Sequence, residues 1–157
     1  MAKGPFMEYL RQEVKMTTIN TFTEVAIATP TSKTENMAML IHSIELQPVI
    51  QVDGEPTELD SVALCVTKTH QTGPVKISDP DCIATFIART KLAAVFNALI
   101  HIGSQETKFD PPILYPKSHL YLSIYSTGMA LVSTGNFRIG YTLEKVSRED
   151  FISALVE

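Results

Sequence analysis

The sequence lacks long apolar runs and an excess of positive charge. No stretch reaches the roughly 18 apolar residues of a membrane span, and the opening residues, MAKGPFMEYLRQEVKM, lack the apolar core of a secretory signal. We therefore expect no transmembrane segment and a chain that is made and stays soluble inside a cell. The formal net charge is -4 at pH 7. Because binding to phosphates needs a concentrated positive surface, little direct nucleic-acid binding is expected.

Cysteine and histidine are scarce and scattered. The two cysteines, Cys65 and Cys82, cannot form a zinc site alone. A single disulfide is an alternative, but no secretory signal supports it, so we interpret them as buried thiols. The four histidines are far apart and none forms a His-x-His pair; they are His42, His70, His101 and His119. We predict structural roles for them, with no metal site and no cofactor, although ligands distant in sequence can converge in space.

Catalytic motifs are also missing. No serine lies in a G-x-S-x-G motif, no glycine-rich phosphate loop is present, and we identify no nearby histidine or basic cluster that would stabilise a thiolate at either cysteine. Asp79 and Asp81 could act as an acid and a base, but beside Pro80 they are more economically a turn and a helix cap. We predict no catalytic residues and no enzymatic activity.

What the sequence does contain is a series of alternating segments separated by turn residues. With 157 residues, of which 45% are hydrophobic, the chain fits one compact domain over 1–157. HLYLSIYS places Leu120, Leu122 and Ile124 on one face, and NFRIGYTLEKV alternates in the same way. Further strands are predicted in TFTEVAIA, MAMLIHSIEL, SVALCVTKTH and, between two STG turns, MALV. We expect turns at TSKTEN, at Pro48 and at Asp53-Gly54, and an irregular crossing over KFDPPILYPKS.

Three helices complete the prediction. An N-terminal helical arm over 1–16 follows from Pro5 and from the spacing of its apolar residues. A short middle helix begins at Asp79-Pro80-Asp81, reaches Ile87 and precedes a strand. Ser147 caps a C-terminal helix over 147–157. About eight strands with short N- and C-terminal helices give an all-β fold, an antiparallel two-sheet sandwich of jelly-roll type.

The order of these elements resembles the single jelly-roll coat proteins of small icosahedral viruses. The resemblance lies in the N-terminal arm, IATPTSKTENMAMLIHSIEL, the middle helix, the crossing FDPPILYPKSHLYLSI and the last strand NFRIGYTLEKVS. It implies a structural capsid protein, located in the virion, whose copies pack side by side into an icosahedral shell through loops and terminal arms. Its partners would be copies of itself and other virion proteins. An alternative location is the cytoplasm of the producing cell.

One departure from that family concerns charge. Many such coat proteins carry an arginine-rich arm, whereas this N-terminus has only Lys3, Arg11 and Lys15 among acidic neighbours. Genome packaging by this arm is therefore in doubt. Another basic protein, an inner layer or a membrane would reconcile a coat role with an acidic chain.

Two sets of surface residues are candidates for contacts. Because short amphipathic helices must bury their apolar faces, we expect subunit contacts, or packing within the same subunit, at Phe6, Leu10, Val14, Phe151 and Leu155. Tyr115, Tyr121 and Tyr125 are candidates for a ligand surface, or for ordinary strand packing. The tyrosines motivate an alternative function, a trimeric carbohydrate- or receptor-binding spike or fibre head. The histidines motivate a weaker one, a cupin-like metal enzyme.

Overall fold

The structure is a computed structural model that describes residues 6–52, 60–90, 98–101, 103–129 and 131–157. Within these residues the chain forms nine strands and one helix. The strands are β1 (Glu8–Lys15), β2 (Phe22–Ala28), β3 (Met37–Val52), β4 (Asp60–Thr67), β5 (Cys82–Thr90), β6 (Ala98–His101), β7 (Gln105–Tyr115), β8 (His119–Thr127) and β9 (Thr134–Lys145), and the helix is α1 (Arg148–Val156).

The strands form two antiparallel sheets with four strand positions each. Sheet A has the order β1-β9-β3-β6, and β7 also pairs with β3. Sheet B has the order β2-β8-β4-β5. β6 pairs with the end of β3 and β7 with its beginning, so these two strands lie end to end along one edge. They therefore share one strand position.

The pairing order identifies the topology as a jelly roll. β1 pairs with β9, β2 with β8, β3 with β6 and β7, and β4 with β5. The first strand position thus pairs with the last, the second with the second-last, and so on inward. Successive pairs lie alternately in sheet A and sheet B. A long two-stranded ribbon rolled up on itself gives this arrangement. The predicted all-β, jelly-roll sandwich with eight strand positions is confirmed.

The core lies between the two sheets and is filled by every second side chain. Buried leucine, isoleucine and valine residues from both sheets meet there, among them Ile44, Leu46, Leu64, Leu122 and Ile139. Burying each such side chain contributes roughly 1.5–3 kcal/mol. The alternation predicted for β4, β8 and β9 therefore places the correct faces inward.

The C-terminal helix forms where it was expected. The Asp150 amide donates to Oγ of Ser147 at 3.0 Å, which caps the first turn of α1. Phe151 is buried beneath the helix, outside the main core cluster.

The predicted N-terminal helix over 1–16 is wrong in the described residues, because residues 8–15 form strand β1. Pairing with β9 along the full length of β1 supplies the backbone hydrogen bonds. Leu10 and Val14 face inward, whereas Tyr9 and Arg11 face solvent. The apolar residues of this segment fit both the spacing of a helix and the two-residue period of a strand. Long-range pairing with β9 selects the strand.

The predicted middle helix is also wrong, because Cys82–Thr90 is strand β5. The aspartates form a turn instead of a cap, since the Asp81 amide donates to Oδ1 of Asp79 at 2.9 Å. Ala84 and Ala88 then face the core at strand spacing.

β3 is longer than predicted and contains a bulge. It continues through Pro48, where we expected a turn, and Pro48 lies opposite the break between β6 and β7. Proline's missing N–H is tolerated at such a gap. His42 is an extra residue against β9, so Ile41 and Ile44 both reach the core. The bulge explains why apolar residues occupy both alternating faces of MAMLIHSIEL.

The predicted irregular crossing is largely strand β7. Its irregularity is confined to residues 109–112, four residues that lie opposite His42 alone, with a cis peptide bond between Asp110 and Pro111. The described residues of MALV lie outside the strands, contrary to expectation, while the Asp53-Gly54 turn falls outside the described residues.

Candidate interaction surface

The outer face of sheet B is the surface that turns away from the core. Its side chains alternate with the core residues Val25, Leu64 and Leu122 along the strands. We call it the sheet B face. It consists of Phe22, Glu24, Ala26, Ala63, Cys65, Thr67, Thr85, Ile87, Tyr121, Ser123 and Tyr125.

One line of residues across this face is entirely uncharged. Strand register places Phe22 opposite Tyr125, Tyr125 opposite Ala63, and Ala63 opposite Ile87. We call these four residues the apolar row. Ile87 lies at its edge and is 54% exposed. The row therefore leaves apolar and aromatic surface in contact with water.

Among the residues named above for the sheet B face, Glu24 is the charged one, and residues of the 68–81 loop bond to its carboxylate. Its side chain is only 8% exposed. One carboxylate oxygen lies 2.5 Å from Nδ1 of His70, and the other accepts from the Gln71 amide at 2.9 Å. The His70 ring also lies 6.2 Å from the ring of Tyr121. The loop over residues 68–81 is therefore attached to the sheet B face through this carboxylate.

The outer face of sheet A has the opposite character. Arg138 forms an ion pair with Glu45 and lies over the ring of Tyr9 at 5.4 Å, and Arg11 lies 5.8 Å from the same ring. Gly140 leaves room for the Tyr9 ring, because a Cβ at residue 140 would lie only 3.2 Å from Cε1 of Tyr9. These charges satisfy one another at the surface, as is typical of a solvated sheet face.

The three tyrosines of the predicted ligand surface do not lie on one surface. Tyr121 and Tyr125 are half-buried on the sheet B face. Tyr115 is buried instead, and its hydroxyl donates to the carbonyl oxygen of His119 at 2.6 Å. Burial raises the pKa of Tyr115. Only the pair on β8 is therefore placed to contact another molecule.

The predicted contact residues at the chain ends are also divided. Val14 and Phe151 are buried within their own subunit, and Leu10 and Leu155 are half-buried. Phe6 is 77% exposed and remains a candidate for a subunit contact.

The apolar row itself was not predicted from the sequence. Phe22 and Ile87 are large apolar residues at outward-facing strand positions, and this was the available signal. This signal could not be recognised at Ile87, because the segment containing Ile87 was predicted to be a helix.

The polar residues weighed earlier for catalysis are dispersed. In the part of the chain that the structure describes, no three histidine, cysteine or acidic side chains converge on a point that could hold a metal ion. His42 bonds to Thr142 at 2.8 Å, and His119 bonds to Ser118 at 3.0 Å. Asp79 and Asp81 belong to the turn before β5.

A bilayer-crossing helix is not found among the described residues, since none of their helical segments is long and apolar enough.

Known proteins that match this chain are found among solved structures. No protein-family model matches the chain, and no curated protein sequence matches it. Among solved structures, the chain is similar to a chain in the X-ray crystal structure of tomato aspermy virus. The sequence identity is 10%, the TM-score is 0.43, and the match covers 85% of this chain and 77% of the other. The assignment of the jelly roll rests on the strand order described above.

Proposed function

We propose that the protein is a structural subunit that associates with copies of itself and builds the shell of a virus particle. The observation that carries this proposal is the partly exposed apolar row on the outer face of sheet B. Interfaces between proteins are depleted of charged side chains at their centre and enriched in aromatic ones. An exposed surface of that composition is stabilised when a partner covers it.

The fold is compatible with several functions, and the sheet B face favours one of them. Jelly rolls serve as capsid subunits, lectin domains and cupin enzymes, so the fold alone does not define the activity. A cupin-like enzyme needs metal ligands that converge, and metal analysis of the purified protein would test for them. Self-association needs a surface that a second copy can cover, and the exposed apolar row supports this proposal.

A closed shell requires a second contact surface in addition to the sheet B face. A self-complementary face joins two copies, and further growth needs a different surface on each copy. The start of β1 and helix α1 are candidates for this role. Because Glu8 pairs with Tyr141 and α1 follows β9 closely, both lie at the same end of sheet A. Phe6, Ile152 and Val156 are exposed there.

The net charge of the chain favours genome contacts through another component. With a net charge of -4, the shell would rely on a basic partner protein, an inner layer or a membrane next to the nucleic acid. Other virion proteins are thus part of the proposal.

Sedimentation velocity over a wide concentration range, with electron microscopy of the same samples, tests the proposed function. We expect dimers that grow into closed particles as concentration rises. A protein that stays strictly monomeric at high concentration, over a range of salt and pH, would contradict self-assembly.

Tyr121 and Tyr125 favour a second candidate function, recognition of a carbohydrate or a receptor. Half-exposed aromatic rings on a sheet stack readily against sugar rings. A glycan array tests this function, and the absence of any binding would remove its basis.

A further inference from the structure

Two thiols meet at the border of the sheet B face. Cys65 lies on β4 and Cys82 begins β5, and their sulfur atoms are 3.6 Å apart. Both cysteines are free. A disulfide needs its sulfur atoms about 2.05 Å apart, so these two would have to approach each other by about 1.5 Å to bond.

The two thiols differ in access. Cys65 is buried, whereas Cys82 is half-buried and can be reached from solvent. Burial raises the pKa of both thiols, and for Cys82 a hydrogen bond from Cys65 acts in the opposite direction. The thiolate form attacks disulfides, so Cys82 is the better placed of the two to react first.

We propose that Cys65 and Cys82 are a modification site that takes up an intrachain disulfide by exchange with a small disulfide such as oxidised glutathione. The Cys82 thiolate attacks one sulfur of oxidised glutathione, forms a mixed disulfide and releases one glutathione thiolate. The Cys65 sulfur, after losing its proton, attacks the Cys82 sulfur and releases the second glutathione. The two cysteine thiols are oxidised, one glutathione disulfide is reduced, and the two protons end on the two glutathione thiols.

The disulfide would close the chain around the 68–81 loop. This loop already bonds to the start of β5, since the Lys68 amide donates to the Asp81 carbonyl oxygen at 2.9 Å and Oγ1 of Thr69 donates to the Asp81 carboxylate at 2.6 Å. The same loop carries His70 and Gln71 onto Glu24. Oxidation would thus fix the loop over the sheet B face, whether or not the protein assembles.

The test compares the folded chain with two single variants after incubation with oxidised glutathione at mildly alkaline pH. For the wild type we expect loss of both free thiols, an intact mass lower by two hydrogen atoms, and a linked 65–82 peptide after digestion. Cys65→Ser should stop at a mixed disulfide carrying one glutathione on Cys82. Cys82→Ser should stay unmodified, because Cys65 is buried. The oxidised wild type should unfold at a temperature roughly 5–10 °C higher than the reduced form, since the cross-link restricts the unfolded chain.

Several results would overturn the proposal. A wild type that retains glutathione adducts, forms disulfides between chains, or keeps both thiols while folded would show that the pair does not close. Peptide mapping of the wild type gives this answer even where a variant folds poorly. Far-ultraviolet circular dichroism of each variant checks that its reactivity belongs to the folded state.

Discussion

Replacing Ile87 by lysine tests whether the sheet B face mediates self-association. Ile87 is 54% exposed at the edge of the apolar row. Because its side chain points away from the core, Ile87→Lys should change the free energy of unfolding by less than about 0.5 kcal/mol. Its effect should therefore appear in association and not in folding.

The expected loss of association free energy in Ile87→Lys follows from the exposed half of the Ile87 side chain. Fully burying an isoleucine contributes roughly 1.5–3 kcal/mol, so covering the exposed half contributes about 1 kcal/mol per copy. In a two-fold contact both copies lose this term, about 2 kcal/mol together, and dehydration of the lysine adds to it. The dissociation constant should rise by a factor of roughly 30 or more.

Sedimentation equilibrium of wild type and variants measures this change, with Ile77→Lys as the matched control. Ile77 is 81% exposed in the 68–81 loop and lies outside the apolar row, so the same substitution there should leave the dissociation constant nearly unchanged. Equal effects of the two substitutions would refute the assignment of the interface to the apolar row. An effect of Ile152→Lys alone would move the interface to α1.

Three further predictions concern stability. Asn20 has a φ of 54°, and its side chain forms hydrogen bonds of 2.9 Å with both the backbone amide and the carbonyl of Met129. Asn20→Ala should therefore lower the free energy of unfolding in urea by about 3 kcal/mol, and Asn20→Gly by about 1 kcal/mol less than that. Oγ of Ser133 is buried without a hydrogen-bond partner among the described residues, so Ser133→Ala should be neutral or stabilising by up to about 1 kcal/mol. The matched Ser126→Ala should lower the free energy of unfolding by about 1–2 kcal/mol, because Oγ of Ser126 accepts from the backbone N–H of Asn20 at 3.1 Å. Burial, with a hydrogen bond to Glu8, raises the pKa of Tyr141 from 10.0 to about 12. The folded state therefore favours the neutral phenol, and stability should fall as pH rises from 10 through 12, less steeply in Tyr141→Phe when thermal unfolding is followed over that range.

Sequence patterns predicted the strands whose two faces meet different surroundings. β8 and β9 have one face in the core and one outside, so their alternation was visible in HLYLSIYS and NFRIGYTLEKV. The C-terminal helix was visible because its capping residue, Ser147, acts within the helix itself.

The errors occurred where long-range contacts decided the structure. β1 has apolar residues at both helical and strand spacings, and pairing with β9, which is distant in sequence, selects the strand. β7 contains three prolines in or beside its second half and still pairs with β3, because its irregular residues are opposite a bulge. Neither partner strand is apparent from the local sequence.

The candidate interface was only half predictable for the same reason. Tyr121 and Tyr125 were identified because β8 alternates cleanly. Phe22, Ala63 and Ile87 join them only through the register of three strand pairs, which the sequence does not display.

The paired-ribbon order of the strands also has a consequence for synthesis on the ribosome. β1 is translated before the other strands described above, whereas its partner β9 is translated after them, and the paired residues Glu8 and Tyr141 are 133 positions apart. The β4–β5 hairpin is close enough in sequence to form early, and the other pairs must close outward from it, with β1 and β9 joining last. Nascent chains would therefore expose the unpaired edge of β1 to chaperones until β9 has been translated.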